Sequence, residues 1–166
     1  MEYPIEELEE IGLEHFEIIN SNLNRNGHPI FESLKDYTLI QACGEQIGVM
    51  GIAFTGSNQT VSTILATIQK KSQELRTIGC QRVLCLLENP EGLFPYLSYK
   101  DFIESSEGVN WFFTSSTEKK SPEFLAVKNR DGNEVFIQVQ PIQPAVIGVV
   151  HQDFDTQTFD FNIVNT

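Results

Sequence analysis

Residues Gln46–Leu87, "QIGVMGIAFTGSNQTVSTILATIQKKSQELRTIGCQRVLCLL", carry three apolar rhythms in succession. The first is a strand-like run ending at Phe54. A small polar loop, Thr55–Thr60, follows it. Then Val61, Ile64, Leu65, Ile68 and Leu75 recur at helical spacing, with Lys70, Lys71 and Glu74 off that face. Arg76 in the last turn and Gly79 just beyond make a stop signal. "RVLCLL" closes the stretch as a continuous apolar run, the pattern of a strand covered on both faces. The spacing predicts a strand over 46–54, a helix over 59–78 and a strand over 82–87. Together they form a βαβ unit, whose crossover is expected to be right-handed.

Outward from this unit, "YTLIQAC" reads as a preceding strand, joined through a tight turn at Gly44-Glu45. Further upstream, Ile5, Leu8, Ile11, Phe16, Ile19 and Leu23 predict a helix from Pro4 to about Leu23. Acidic residues occupy its first turns, and Gly27 and Pro29 lie beyond its end. Downstream, a short helix is expected near Leu97–Ser105 and a strand at Trp111–Thr114. "EFLAVKNRDGNEVFIQVQ" reads as a hairpin with Asp131-Gly132 as a type I′ signal. A final strand pair turns near Thr156 and Gln157. With 166 residues and no linker or repeat, the expectation is one domain over 1–166. Its fold class is α/β or α+β, with a mixed sheet of about five to seven strands, an N-terminal helix and C-terminal hairpins.

The formal charge is −12, from 11 basic and 23 acidic residues. Such a chain is repelled by phosphate backbones and anionic membranes, which argues against nucleic-acid binding through a basic surface. No apolar run approaches the roughly 20 residues of a membrane-spanning helix. "EYPIEELEE" is acidic where a secretory leader is basic and then apolar. Cys43, Cys80 and Cys85 are odd in number, lack a C-x-x-C spacing and have apolar neighbours, so neither a disulfide framework nor a zinc site is expected. A cytoplasmic location without a cofactor follows as the expectation. Cys43 and Cys85 are placed in strand interiors, and Cys80, between helix and strand, is the most accessible of the three.

Three constellations are candidates for function. The loop "TGSNQT" precedes a helix, where backbone N–H groups and Gly56 would admit an anion. Thr55, Gly56, Ser57, Asn58 and Thr60 are therefore a weak ligand site. The loop is neither G-x-G-x-x-G nor a P-loop and lacks a lysine for a phosphate, so a plain helix cap explains it with fewer assumptions. The second is the aromatic segment Leu93–Phe113, from which Tyr96, Tyr99 and Trp111 are weak anchors for a protein partner. That partner would be neutral or basic, given the charge. The third is His151, Asp153 and Asp155, alternate residues that are weak candidates for a divalent cation but lack the glycine and glutamate of an EF-hand loop.

"QELRTIGCQRVLCLLENPEGL" is similar to the early part of dual-specificity phosphatases, where a helix ends at glycine before a buried strand. That family's Cys-x5-Arg phosphate loop has no counterpart after Cys85, which removes the activity the resemblance implies. There is also no G-x-S-x-G and no S-x-x-K, so no nucleophilic serine is signalled. The balance falls against an enzyme. The reading reached is an acidic, non-catalytic protein-binding or regulatory module. The alternatives are a small enzyme or sensor for an anionic small molecule or nucleotide at the 55–60 loop, and a structural subunit of an assembly or homo-oligomer.

Overall fold

The computed structural model describes residues 17–22, 34–54, 59–90, 94, 96–142, 146–153, 156 and 158–165. Their order is β1 (Tyr37–Ala42), β2 (Glu45–Ile52), α1 (Val61–Thr77), β3 (Arg82–Leu87), α2 (Tyr99–Glu104), β4 (Trp111–Ser116), β5 (Glu123–Lys128), β6 (Glu134–Pro141), β7 (Val146–Asp153) and β8 (Thr158–Asn165). The first six strands make one sheet in the order β1-β2-β3-β4-β6-β5, and β7 and β8 make a separate pair. β2, β3, β4 and β6 run parallel, while β1 and β5 pair antiparallel at the two edges. The expected α/β class, mixed sheet and C-terminal hairpin are all present.

Alternation along the strands sorts the side chains onto two faces. The register sets Met50 beside Cys85 and Cys85 beside Phe112. These residues, with Ile52, Val83, Leu87, Ile137 and Val139, enter one core that also takes Ile64, Ile68 and Leu75 of α1 and Phe102 and Ile103 of α2. Gly48 is required there. A Cβ at that position would meet Leu75 Cδ2 at 2.8 Å, so the missing side chain lets α1 lie close against β2. The opposite face carries aromatics. Trp111 stacks on Phe113 at 5.6 Å between ring centroids, Phe124 stacks on Phe136 at 5.7 Å, and Phe161 of β8 stacks on Phe124 at 5.8 Å.

Several local expectations need correction. The first turn is Cys43-Gly44, both at positive φ (51° and 77°), so the tight turn sits one residue earlier than predicted. In the β5–β6 hairpin only Gly132 has positive φ, at 77°. The loop is closed by Gly132 N–H donating to Asn129 O at 2.9 Å and by Asn133 N–H donating to the Asn129 side chain at 2.9 Å. This is a longer clasp than a two-residue type I′ turn, because Asn129 satisfies the backbone from its own side chain. The N-terminal helix expected from Pro4 to about Leu23 lies mostly outside the described residues. Its described part, 17–22, is not helical: Ile19 bridges Lys35, and Ser21 N–H donates to Gly51 O at 2.7 Å. Backbone pairing beside the end of β2 has overridden the helical periodicity there.

Candidate functional site

Four parallel strands end on the same side of the sheet, and in open α/β sheets the crevice outside those carboxyl ends is where ligands bind. Here β2, β3 and β4 end side by side. Glu88, the residue after β3, is held in this row twice. Its N–H donates to Ile52 O at 2.9 Å, and its carboxylate accepts the N–H of Phe54 at 2.6 Å. The strands then part. The β3–β4 pairing stops at Leu87 and Thr114, while β4 continues through Ser116 alongside β6. At that fork lies a shallow cleft, wide open to solvent, lined by Leu86, Leu87, Glu88, Phe113, Thr114 and Ser115.

Two features of the cleft are unusual for a strand end. Leu86 is 45% exposed, an apolar surface facing open space. Thr114 is only 6% exposed, and its buried hydroxyl has no hydrogen-bond partner. Buried hydroxyls are nearly always paired; this one lies beside Leu87 and Val139 on the helix-covered face, opposite to the face that carries Leu86 and Phe113. The electrostatics are one-sided: one carboxylate and no cation line the cleft.

Next to this row, α1 begins. Thr60 caps it with a reciprocal pair of bonds: Thr63 N–H donates to Thr60 Oγ1 at 3.2 Å, and Thr60 N–H donates to Thr63 Oγ1 at 3.0 Å. Thr60 thus performs the capping role that the sequence permits. Thr55, Gly56, Ser57 and Asn58 lie outside the described residues.

The aromatic candidates separate. Tyr96 is fully exposed, whereas Tyr99 and Trp111 are buried. Tyr99 sits in α2 with its hydroxyl 3.5 Å from Glu123 Oε2, and Trp111 belongs to the stacked face of the sheet. Of the metal candidates, His151 and Asp153 are exposed alternate residues of β7, and Asp155 lies outside the described residues. Asp153 Oδ1 accepts the Thr156 N–H at 3.2 Å, closing the turn before β8. Among the described residues no three His, Cys, Asp or Glu side chains gather to hold a metal ion.

The cysteines differ from expectation. Cys43 is exposed at the hairpin turn, while Cys80 and Cys85 are buried. Complete burial pushes the Cys85 thiol well above its ordinary pKa, which leaves it protonated and inert. Glu88, Thr114 and Ser115 were not singled out from the sequence. Their only signal is a polar residue ending each apolar strand run, "LCLLE" and "WFFTSS".

A mixed α/β sheet with ligand-accessible strand ends is a widespread architecture, and comparison narrows it. No protein-family model matches the chain, and no curated protein matches it. Solved structures do. NAD nucleotidase of Haemophilus influenzae superposes with a TM-score of 0.62 at 15% identity, over 91% of this chain and 34% of that one. A 5′-nucleotidase precursor from Thermus thermophilus gives 0.63 at 18% identity, over 90% and 34%. A putative 5′-nucleotidase from Staphylococcus aureus, in complex with alpha-ketoglutarate, gives 0.53 at 10% identity, over 91% and 33%. The chain therefore spans about a third of the length of each, and what is shared is the fold.

This finding corrects the functional expectation. A non-catalytic protein-binding or regulatory module was inferred from the lack of any local catalytic pattern. The fold found is instead one that occurs within nucleotidases. The alternative expectation, an anionic small molecule or nucleotide as ligand, agrees with it better.

Proposed function

We propose that this chain binds a nucleotide at the carboxyl ends of its parallel strands and functions as the nucleotide-binding part of nucleotidase-type chemistry. The observation that carries this reading is the shared fold, which covers nine-tenths of this chain in three chains named as nucleotidases. In this reading the ligand lies along the carboxyl ends of β2, β3 and β4, next to Glu88. In this reading the phosphate lies at the amino end of α1, which the "TGSNQT" sequence of Thr55–Thr60 leads into and where the helix dipole favours an anion. A cytoplasmic location is part of the same proposal, supported by three free cysteines.

The test is a thermal-shift titration of the full chain with AMP, NAD and inorganic phosphate. A nucleotide at 100 times its dissociation constant adds about 2.7 kcal/mol of stability, a readily measured rise in melting temperature. Gly56→Ala should weaken that shift. Melting temperatures unmoved by any nucleotide at millimolar concentration would refute the reading.

A further inference from the structure

We infer that the outer edge of β1 is a self-association surface: a second copy of this chain pairs its own β1 there, antiparallel, about a two-fold axis at Leu39. The inference is independent of the nucleotide-binding reading. β1 is one end of the six-stranded sheet, and its residues Tyr37–Ala42 include no charge, proline or glycine. The other end is built differently. β5 begins at Glu123 and finishes at Lys128, and Glu123 forms an ion pair with Lys119 at 2.7 Å. Edge strands are ordinarily kept from pairing by such charges, and β1 has none. It also presents apolar side chains on both faces, with Leu39 44% exposed and Ile40 47%. Leu39 stands opposite Gly48 in the register, so no β2 side chain lies directly beside it.

The hydrogen-bond phase decides how a second strand can pair. Gln46, opposite Gln41, turns both backbone groups toward β3: its N–H donates to Gln81 Oε1 at 2.7 Å, and its O accepts the Gln81 N–H at 2.9 Å. The Gln41–Gln46 pair is thus of the non-hydrogen-bonded kind, and Gln41 turns its own N–H and C=O to the outer edge. By alternation Leu39 and Tyr37 do the same. Setting Leu39 against Leu39 of the second copy brings Tyr37 opposite Gln41 and Gln41 opposite Tyr37. Every outward backbone group of these three residues then finds a partner. The strand is complementary to itself. On the other face of the sheet Ile40 meets Thr38 of the second copy. Charge does not oppose the contact, although the chain carries −12 in all. The acids beside the strand are already paired, Glu17 with Lys35 and Asp36 with Lys71 at 3.1 Å. In this register the two copies of Asp36 lie about 20 Å apart, well beyond the screening length at physiological salt. The contact is one strand wide, so the dimer is weak and depends on concentration.

Sedimentation equilibrium of the full chain, of Leu39→Lys and of Gln41→Pro, each first checked for a parental melt, measures the association. The parent should approach the mass of two copies at high micromolar concentration. Leu39→Lys sets two ammonium groups together at the axis and should weaken association about tenfold or more. Gln41→Pro removes an outward donor and leaves the pairing with β2 intact, so it should weaken association as well. Cross-linking with oxidised glutathione in a Cys43→Ser chain, whose remaining cysteines are buried, reads the register. Leu39→Cys places its thiol beside its own copy, at a Cα separation of about 5.5 Å that suits a disulfide, and should yield a covalent dimer. Gln41→Cys is also at an exposed position but lies about 14 Å from its copy, and should not. A parent that stays a single copy throughout overturns the proposal and leaves the edge to a foreign strand or to solvent. A dimer that folded Leu39→Lys and Gln41→Pro leave intact has its interface elsewhere, which also overturns it. Cross-linking at 41 as ready as at 39 overturns the two-fold register at Leu39.

Discussion

Gly108 shows how much one missing side chain can specify. It has φ of 78°, and a Cβ built on it would fall inside contact distance of Ser72 Oγ. Ser72 is buried on α1 and its hydroxyl donates to Gln69 O at 2.9 Å, so it has little room to withdraw. Gly132 has nearly the same φ, 77°, but open space around the absent Cβ. Gly132→Ala is expected to cost about 1 kcal/mol from backbone strain alone. Gly108→Ala adds a clash and should cost about 2–3 kcal/mol or more. Urea-denaturation midpoints of the two variants measure the difference; equal losses would mean that Ser72 and the segment before β4 are not in contact.

The cysteines make a second residue-scale prediction. A thiol reagent added to the native chain should titrate one cysteine quickly, Cys43, and all three only after denaturation. Apolar neighbours correctly placed Cys85 in a buried strand interior, and the other two cysteines were misplaced. Cys43 was misplaced because a one-residue shift of a turn exchanges a strand interior for a loop tip. Cys80 was misplaced because its cover comes from elements distant in sequence. Side-chain accessibility depends on register and packing, which a single apolar run does not encode.

At the scale of elements, the βαβ unit was legible because each of its parts has its own period and its own stop. The expected helix over 59–78 is α1, Val61–Thr77, and the expected strand over 82–87 is β3. The capping box at Thr60 explains the start, and Gly79, at φ of 98°, the end. Thr60→Ala should cost about 0.5–2 kcal/mol by leaving the Thr63 N–H without its acceptor. Thr60→Ser, which restores the oxygen, should recover most of it. Parallel chemical-denaturation curves decide this, and an Ala variant as stable as the parent would show that the cap is redundant. The stretch 17–22 was not legible for the opposite reason. Its apolar spacing resembles a helix, but Asn22 uses its side chain to accept from Ala53 N–H at 3.0 Å, a partner 31 residues away. Periodicity is blind to such pairing.

Across the whole molecule, the candidate site could not be read locally, because it exists only once β2, β3 and β4 are side by side. Glu88 and Thr114 are 26 positions apart and belong to no shared motif. The sheet also divides the molecule energetically. The parallel strands carry the helix-covered core, whereas among the described residues β7 and β8 form a separate two-stranded pair. Among the described residues, Gln138 Nε2 donates to Gly148 O at 2.7 Å, Gly148 N–H donates to Gln140 Oε1 at 3.2 Å, and Phe161 stacks on Phe124, which ties the hairpin to the large sheet. A two-stranded hairpin is marginal by itself, so these anchors set its lifetime. Native-state hydrogen exchange should therefore show β7 and β8 opening at lower free energy than β2, β3 and β4, which should exchange only through global unfolding. Phe161→Ala removes the stacked ring and should speed exchange of the hairpin amides by about tenfold or more. The slowest amides of β3 should change far less, because the helix-covered core does not include Phe161. If the variant lowers protection equally in β8 and β3, the hairpin is part of the same cooperative unit as the large sheet, and the two-part energetic division is wrong.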